Sequence, residues 1–212
     1  MLRKSLLLIF FISNLSFGAQ ELVLSDSPSE NEQIVVLLPC ASKDGAAEFD
    51  AEGKLVRISV MESSRIRSIP SEVGSFAGLI KLNLAQNQAM YGHIPKSLGS
   101  LSELILLTLH SNHLNGPIPT ELGGLSNLKI LRLGHNKLTG RIPSGLARLK
   151  KMTELSLEDN LLEGEIPSEL GDLPLLEWLN LSQNKLSGSI PPKLGGLRSL
   201  ENLRLDQNDL TG

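Results

Sequence analysis

Cysteine is almost absent from this chain. Cys40 is the only one in 212 residues, so no pair exists to form a disulfide within the chain. Aromatic residues are also scarce, at 3% of the sequence. A core made without them must be filled by aliphatic side chains, and leucine dominates the apolar set. Neither sign of charge is in large excess: 20 Lys and Arg stand against 23 Asp and Glu, a formal net charge of −3. Loss of Arg3 and Lys4 with an N-terminal segment would remove two positive charges and take −3 to −5. A mildly acidic chain argues against nucleic acid as a partner. No cluster of Lys and Arg marks a membrane-surface patch. Motifs of the major catalytic families are missing as well: there is no G-x-S-x-G, no phosphate loop and no H-E-x-x-H. The sequence therefore implies no enzyme activity, no metal and no cofactor.

Long apolar runs are missing except at the N-terminus. Arg3 and Lys4 precede an apolar stretch that starts at Leu6 and is about 12 residues long. Ser16 and Gly18 put small residues three and one before a cut ahead of Ala19, the pattern of a signal peptide over residues 1–18. A retained anchor is the alternative, but the run is short of the ~20 residues that a spanning helix needs. Cleavage would leave a soluble chain outside the cytoplasm, with no membrane insertion. Residues 19–52 read as a polar segment and cap. Ser25–Gln33 is polar, and Ile34–Leu38 is an apolar run able to cover the first unit of whatever follows. Cys40 is read either as a small buried residue of that lid or as the site of an intermolecular disulfide.

What is abundant is repetition. Asn87, Asn112, Asn136, Asn160, Asn184 and Asn208 are spaced by 25, 24, 24, 24 and 24 residues. Ser63 stands 24 residues before the first. A period of this length is the signature of stacked structural units. Leucines two apart, such as Leu131 and Leu133, face the same side of a short strand. One strand cannot bury that side alone, whereas a stack can. Parallel neighbours lie ~4.8 Å apart, so seven strands span roughly 29 Å. Each asparagine follows its strand, where its amide can satisfy the backbone groups of the turn, and a stack of them makes a ladder. The glycine four residues on (Gly140, Gly164, Gly188) permits a conformation that other residues resist. Ile-Pro then returns the chain in extended form. The unit at Leu82 holds one extra residue between Asn87 and Gly92, which accounts for the 25.

The spacing L-x-x-L-x-L-x-x-N-x-L-x-G-x-I-P resembles a leucine-rich repeat of the plant type, with G-x-I-P and the 24-residue length carrying the subfamily. The resemblance covers residues 53–212, as about seven units of which the last is incomplete. It implies an α/β fold: a right-handed, curved solenoid with a parallel sheet on the concave face. Short helical or irregular segments such as Ser97-Leu98-Gly99 would face outward. Phe49–Arg57 resembles the lead-in hairpin of such proteins, with Glu52-Gly53 as its turn. Relatives usually seal the first unit with a cysteine pair near a tryptophan, and this chain has neither there. The last unit stops at Thr211-Gly212, where Ile-Pro would come. A fragment, a fraying last unit, or a covering partner or further repeats would each account for an open end.

Function in such a family lies on the concave surface, and the resemblance implies a protein or peptide ligand. Between the strand leucines stand Ser59, Asn83, Thr108, Arg132, Ser156, Asn180 and Arg204. The later units are the more distinctive, with Arg132 and His135 beside Glu158 and Asp159, then Trp178, Asn180 and Arg204. Trp and Arg often anchor interfaces. Against that, any soluble repeat must fill these positions with polar groups. Leu106 and Ile130 add a small apolar patch expected next to Trp178. His110, His135, Glu158 and Asp159 could approach one another, but no catalytic or metal motif overlies them. Asn180-Leu181-Ser182 is an N-glycosylation acceptor with the asparagine on the exposed face, and equally a normal filling of the strand consensus. Three readings follow: a secreted, cell-wall or cell-surface recognition module related to receptors or defence proteins; in another class, an inhibitor of a wall-degrading hydrolase; and a structural wall or matrix protein.

Overall fold

A computed structural model describes residues 47–62 and 66–211. The signal segment, the apolar run 34–38, Cys40 and Ser63 lie outside the described residues. Strands come in pairs along the chain: β1 (Ala47–Phe49), β2 (Leu55–Ser59), β3 (Lys81–Asn83), β4 (Tyr91–His93), β5 (Leu106–Thr108), β6 (His113–Pro117) and β7 (Ile130–Arg132). There follow β8 (Lys137–Gly140), β9 (Glu154–Ser156), β10 (Leu161–Gly164), β11 (Trp178–Asn180), β12 (Lys185–Ser189), β13 (Asn202–Arg204) and β14 (Asp209–Thr211). The strands of an eight-stranded sheet are ordered β1-β2-β3-β5-β7-β9-β11-β13, with β1 from the lead-in segment and one strand from each unit thereafter. From the unit of β3 on, each unit gives another to a six-stranded sheet, β4-β6-β8-β10-β12-β14. All pairings are parallel except the lead-in hairpin β1–β2. That hairpin is the one expected over residues 49–57; Gly53 turns it at φ +79, and Asp50 accepts from the backbone N–H of Glu52 and Lys54.

The larger sheet has a register of one repeat per strand. Leu82, Leu107, Leu131, Leu155 and Leu179 align, with Leu203 beyond them. The first five are fully buried, and Leu203 is 44% exposed. Below the strands, short 3₁₀ helices such as Lys96–Ser100, Thr120–Gly124 and Ser168–Asp172 form the outer layer. Each starts after a proline whose φ near −60 to −67 suits the turn and which has no N–H to leave unsatisfied. The helical layer stacks so tightly that a Cβ at Gly99 would fall 2.3 Å from the Glu121 carbonyl oxygen. This is a right-handed α/β leucine-rich-repeat solenoid, its helical component 3₁₀ throughout the described residues.

The asparagines hydrogen-bond across units. Asn160 donates from Nδ2 to the carbonyls of Leu157 and Glu158 in its own turn and of Leu133 one unit back. Its Oδ1 accepts from the Leu138 N–H. Asn136, Asn184 and Asn208 repeat this pattern. At the longer unit the acceptor changes partner: Asn112 Oδ1 takes the N–H of Asn87, whose own carbonyl receives Met90 N–H. The second sheet is a feature that periodicity did not reveal. The N-x-L-x-G segment, read above as turn and return, pairs with its neighbours as a strand.

Candidate functional site

One backbone feature sets the direction of the upper concave residues. The residue before each ladder asparagine has a left-handed conformation, with φ between +50 and +59: Gln86, Ser111, His135, Asp159, Gln183 and Gln207, and so does Glu62 at the equivalent place in the first unit. Non-glycine residues resist this region. Cross-unit bonds hold it, among them His135 N–H to the Glu158 carbonyl at 2.8 Å and Asp159 N–H to the Ser182 carbonyl at 3.0 Å. His135 and Asp159 thus project from equivalent points one unit apart, and His135 Nδ1 meets Asp159 Oδ2 at 2.8 Å. His135 Nε2 lies 4.0 Å from Glu158 Oε1.

Just below runs the row His110, Gly134, Glu158, Ser182. With no side chain at Gly134, the Glu158 carboxylate lies across it; a Cβ there would be 2.4 Å from Oε1. Glu158 Oε2 and His110 Nδ1 are both buried with no hydrogen-bond partner among the described residues. Burial pushes the His110 imidazole below its ordinary 6.5, and the Arg132 cation adds to the effect. His110 was considered in sequence only for a metal or acid–base cluster with His135, Glu158 and Asp159, and Gly134 did not stand out at all. The signal for Gly134 was its departure from a row otherwise filled by larger side chains.

Arg132 on β7 makes a two-pronged contact with Glu154 on β9, Nε to Oε1 at 2.6 Å and Nη2 to Oε2 at 2.7 Å. The hydrogen bond to Glu154 holds the guanidinium above its usual range. Glu154 pairs in register with Ile130 on one side and Trp178 on the other. It therefore separates Trp178 from the half-buried Leu106 and Ile130, so the small apolar patch expected next to Trp178 lies one strand further away. Trp178 is half-buried, and Arg204 is exposed on β13.

Asn180 requires a second correction. It was expected on the exposed face, yet only 8% of it is accessible. Its Oδ1 accepts from both the N–H and the hydroxyl of Ser182, folding the amide onto its own strand. On its strand it pairs in register with Ser156 on one side and Arg204 on the other. Asn180 is thus mostly enclosed in the sheet, with its Oδ1 engaged by Ser182.

A cavity of about 320 Å³ opens beside these residues, lined by Arg132, Glu154, Glu177, Trp178, Glu201 and Asn202. Asn202 stands at the same strand position as Glu154 and Trp178, whereas Glu177 and Glu201 lie one residue outside the strands and carried no signal in the repeat. Among the described residues, no three of His, Cys, Asp and Glu converge to hold a metal ion.

The comparisons agree with this architecture. Two leucine-rich-repeat family models match, one over residues 167–210 and the other over 127–149 and 151–173. A solved structure of the LRR ectodomain of the Arabidopsis receptor kinase HAESA, in complex with an IDA peptide hormone ligand, is 40% identical. It matches with a TM-score of 0.69, covering 75% of this chain and 27% of that one. The plant peptide hormone receptor RGFR1 in complex with RGF2 is 33% identical, with a TM-score of 0.70, over 74% of this chain and 25% of that one. A chain of the BIR3–SERK2 complex from Arabidopsis thaliana is 29% identical, with a TM-score of 0.57, over 80% and 78% of the two chains. This chain spans about a quarter of the length of the two hormone-binding structures. A comparison with curated proteins found no match. The chain thus shares the repeat sequence and the fold of plant-type leucine-rich-repeat proteins.

Proposed function

We propose that this protein is an extracellular recognition module that binds a protein or peptide across its concave sheet. The observation that carries the reading is the contrast on that sheet. A repeated frame of leucine and asparagine holds side chains that differ from unit to unit and converge around Arg132, Glu154, His135, Glu158, Asp159 and Trp178. Such a frame is preorganised, so little entropy is lost in ordering it on binding. Similarity to receptor ectodomains bound to peptide hormones supports the same reading. Removal of residues 1–18 as a signal peptide would deliver the module to the cell surface or wall, in a receptor-like or defence role. Inhibition of a secreted hydrolase is a use of the same face, and would show as loss of a target enzyme's activity on mixing.

The test is selection of peptides from a random display library on the full chain. Affinities of the selected peptides are then compared across three variants. Trp178→Ala and His135→Ala change the concave sheet, and Lys185→Ala changes the second sheet. We expect loss of binding, on the order of 10-fold or more, for at least one concave change and none for Lys185→Ala. Selected peptides that ignore both concave changes would overturn the reading.

A further inference from the structure

The cavity lined by Arg132, Glu154, Glu177, Trp178, Glu201 and Asn202 has one aromatic wall and an unbalanced charge. Glu154, Trp178 and Asn202 align on β9, β11 and β13, and Glu177 and Glu201 immediately precede the last two. Strands so paired are ~4.8 Å apart, so Glu177 and Glu201 stand one unit from each other and line the cavity together with the indole. The one cation of the lining, Arg132, is neutralised by its two contacts to Glu154. Glu177 and Glu201 form no ion pair among the described residues. Both have their backbone groups engaged in the stack: the Glu177 carbonyl accepts the N–H of Glu201 and of Asn202. Their side chains are thus held on a rigid frame, and both are exposed. Acidic side chains alone would be an ordinary solvated face. A bounded cavity with an indole in its wall is a different object, because the ring attracts a cation that the carboxylates also attract.

The geometry points to this cavity as the site for an arginine side chain of the bound peptide or protein, its guanidinium stacked on Trp178 and paired with Glu177 and Glu201. A guanidinium is planar and weakly hydrated, offers five donors in a fixed fork, and stacks on aromatic faces, so one group meets both kinds of wall. The volume is at the lower end of the roughly 300–1,000 Å³ usual for ligand pockets, suited to one side chain rather than a larger ligand. This inference rests on the proposed use of the concave sheet for recognition.

Trp178 is the only tryptophan in the chain, so its fluorescence reports on this cavity alone. The experiment titrates the full chain with the capped tripeptide Gly-Arg-Gly, and separately with the same tripeptide carrying citrulline, which keeps the shape and removes the charge. The expected result is a saturable change with arginine that weakens as salt is raised, with citrulline binding about tenfold more weakly or worse. The double variant Glu177→Gln with Glu201→Gln should abolish the preference for arginine over citrulline. Equal responses to arginine and citrulline in the unaltered protein would overturn the assignment, whatever the variant's folding. So would a preference that survives both substitutions in a variant that melts normally. Library peptides that bind the concave sheet yet are indifferent to Glu177→Gln and Glu201→Gln would remove the arginine site and leave the recognition reading standing. Peptides that ignore the concave sheet altogether would remove that reading itself.

Discussion

The interior of this solenoid and its concave surface follow opposite rules. Inside, Leu131, Leu155 and Leu179 are interchangeable, each fully buried and each paired with the next at the same register. Asn136, Asn160 and Asn184 make the same bonds, unit after unit. On the concave sheet, the equivalent positions Arg132, Ser156 and Asn180 share a backbone and nothing else: one bridges to the next strand, one accompanies it, and one, itself buried, folds back on its own strand. The interior is set by stacking, which demands identity between units. The surface is free of that demand, so its composition records what it meets. Change inside should therefore cost stability with little specificity, and change outside the reverse.

The largest departure should come from Asn160→Ala. It strands buried carbonyls of two units and the Leu138 N–H, at about 1–3 kcal/mol for each unsatisfied group. At roughly 2–4 °C per kcal/mol for a chain of this size, a loss of about 3 kcal/mol lowers the midpoint of thermal unfolding by roughly 6–12 °C. Asn202→Ala, an asparagine on the concave surface, should stay within about 0.5 kcal/mol. Equal melting of the two variants would erase the distinction between the regions.

Next comes Gly99→Ala, because its Cβ would meet the Glu121 carbonyl at 2.3 Å and backbone cannot move aside cheaply. Overpacking of this sort costs about 1–3 kcal/mol. Gly195, the equivalent glycine in the last 3₁₀ helix, has nothing within 4 Å of a Cβ. Gly195→Ala should be neutral or slightly stabilising in denaturant titration, since the substitution restricts the unfolded chain.

A smaller effect is expected on the surface. The Arg132–Glu154 pair is part-exposed, with 43% of the arginine side chain accessible. A double-mutant cycle with Arg132→Ala and Glu154→Ala should give a coupling of about 1 kcal/mol or less, decreasing with salt. A coupling of several kcal/mol would make this surface pair part of the frame.

The smallest is a matter of pH. Burial lowers the folded pKa of His110 below 6.5, so near that value the unfolded chain binds more protons than the folded one. The stability this residue supports is complete above pH 6.5 and declines as pH falls from there toward the lowered value. His110→Gln should lose less stability than the parent between pH 7 and 5 in parallel melting curves. A steeper loss in the variant would reverse the assigned sign.

Much of the frame was legible because periodicity speaks directly about burial. Leucines two apart and an asparagine every 24 residues state which face is covered and where the chain turns. The Arg132–Glu154 and His135–Asp159 encounters were within reach for the same reason: one period separates neighbours across the sheet, or nearly so. The second sheet was not legible, because N-x-L-x-G has no alternation long enough to mark a strand; only pairing with the same segment one unit away makes it one. Asn180 was misplaced because its identity says polar and exposed, while its Oδ1 finds Ser182 two residues on. Glu177 and Glu201 stand outside the leucine pattern, so nothing in the repeat distinguished them from solvated charges.

By itself the sequence determined the stack: its unit, its register, its buried rungs and the side chains handed to the concave sheet. Repetition makes each contact the same local problem, solvable from one unit and its copy. Only the tertiary structure decided that Glu158 lies over Gly134, that Glu154 stands between Ile130 and Trp178, and that two glutamates and an indole share one cavity. Those relations are set by side-chain directions and volumes summed across neighbouring strands, and no single unit contains them.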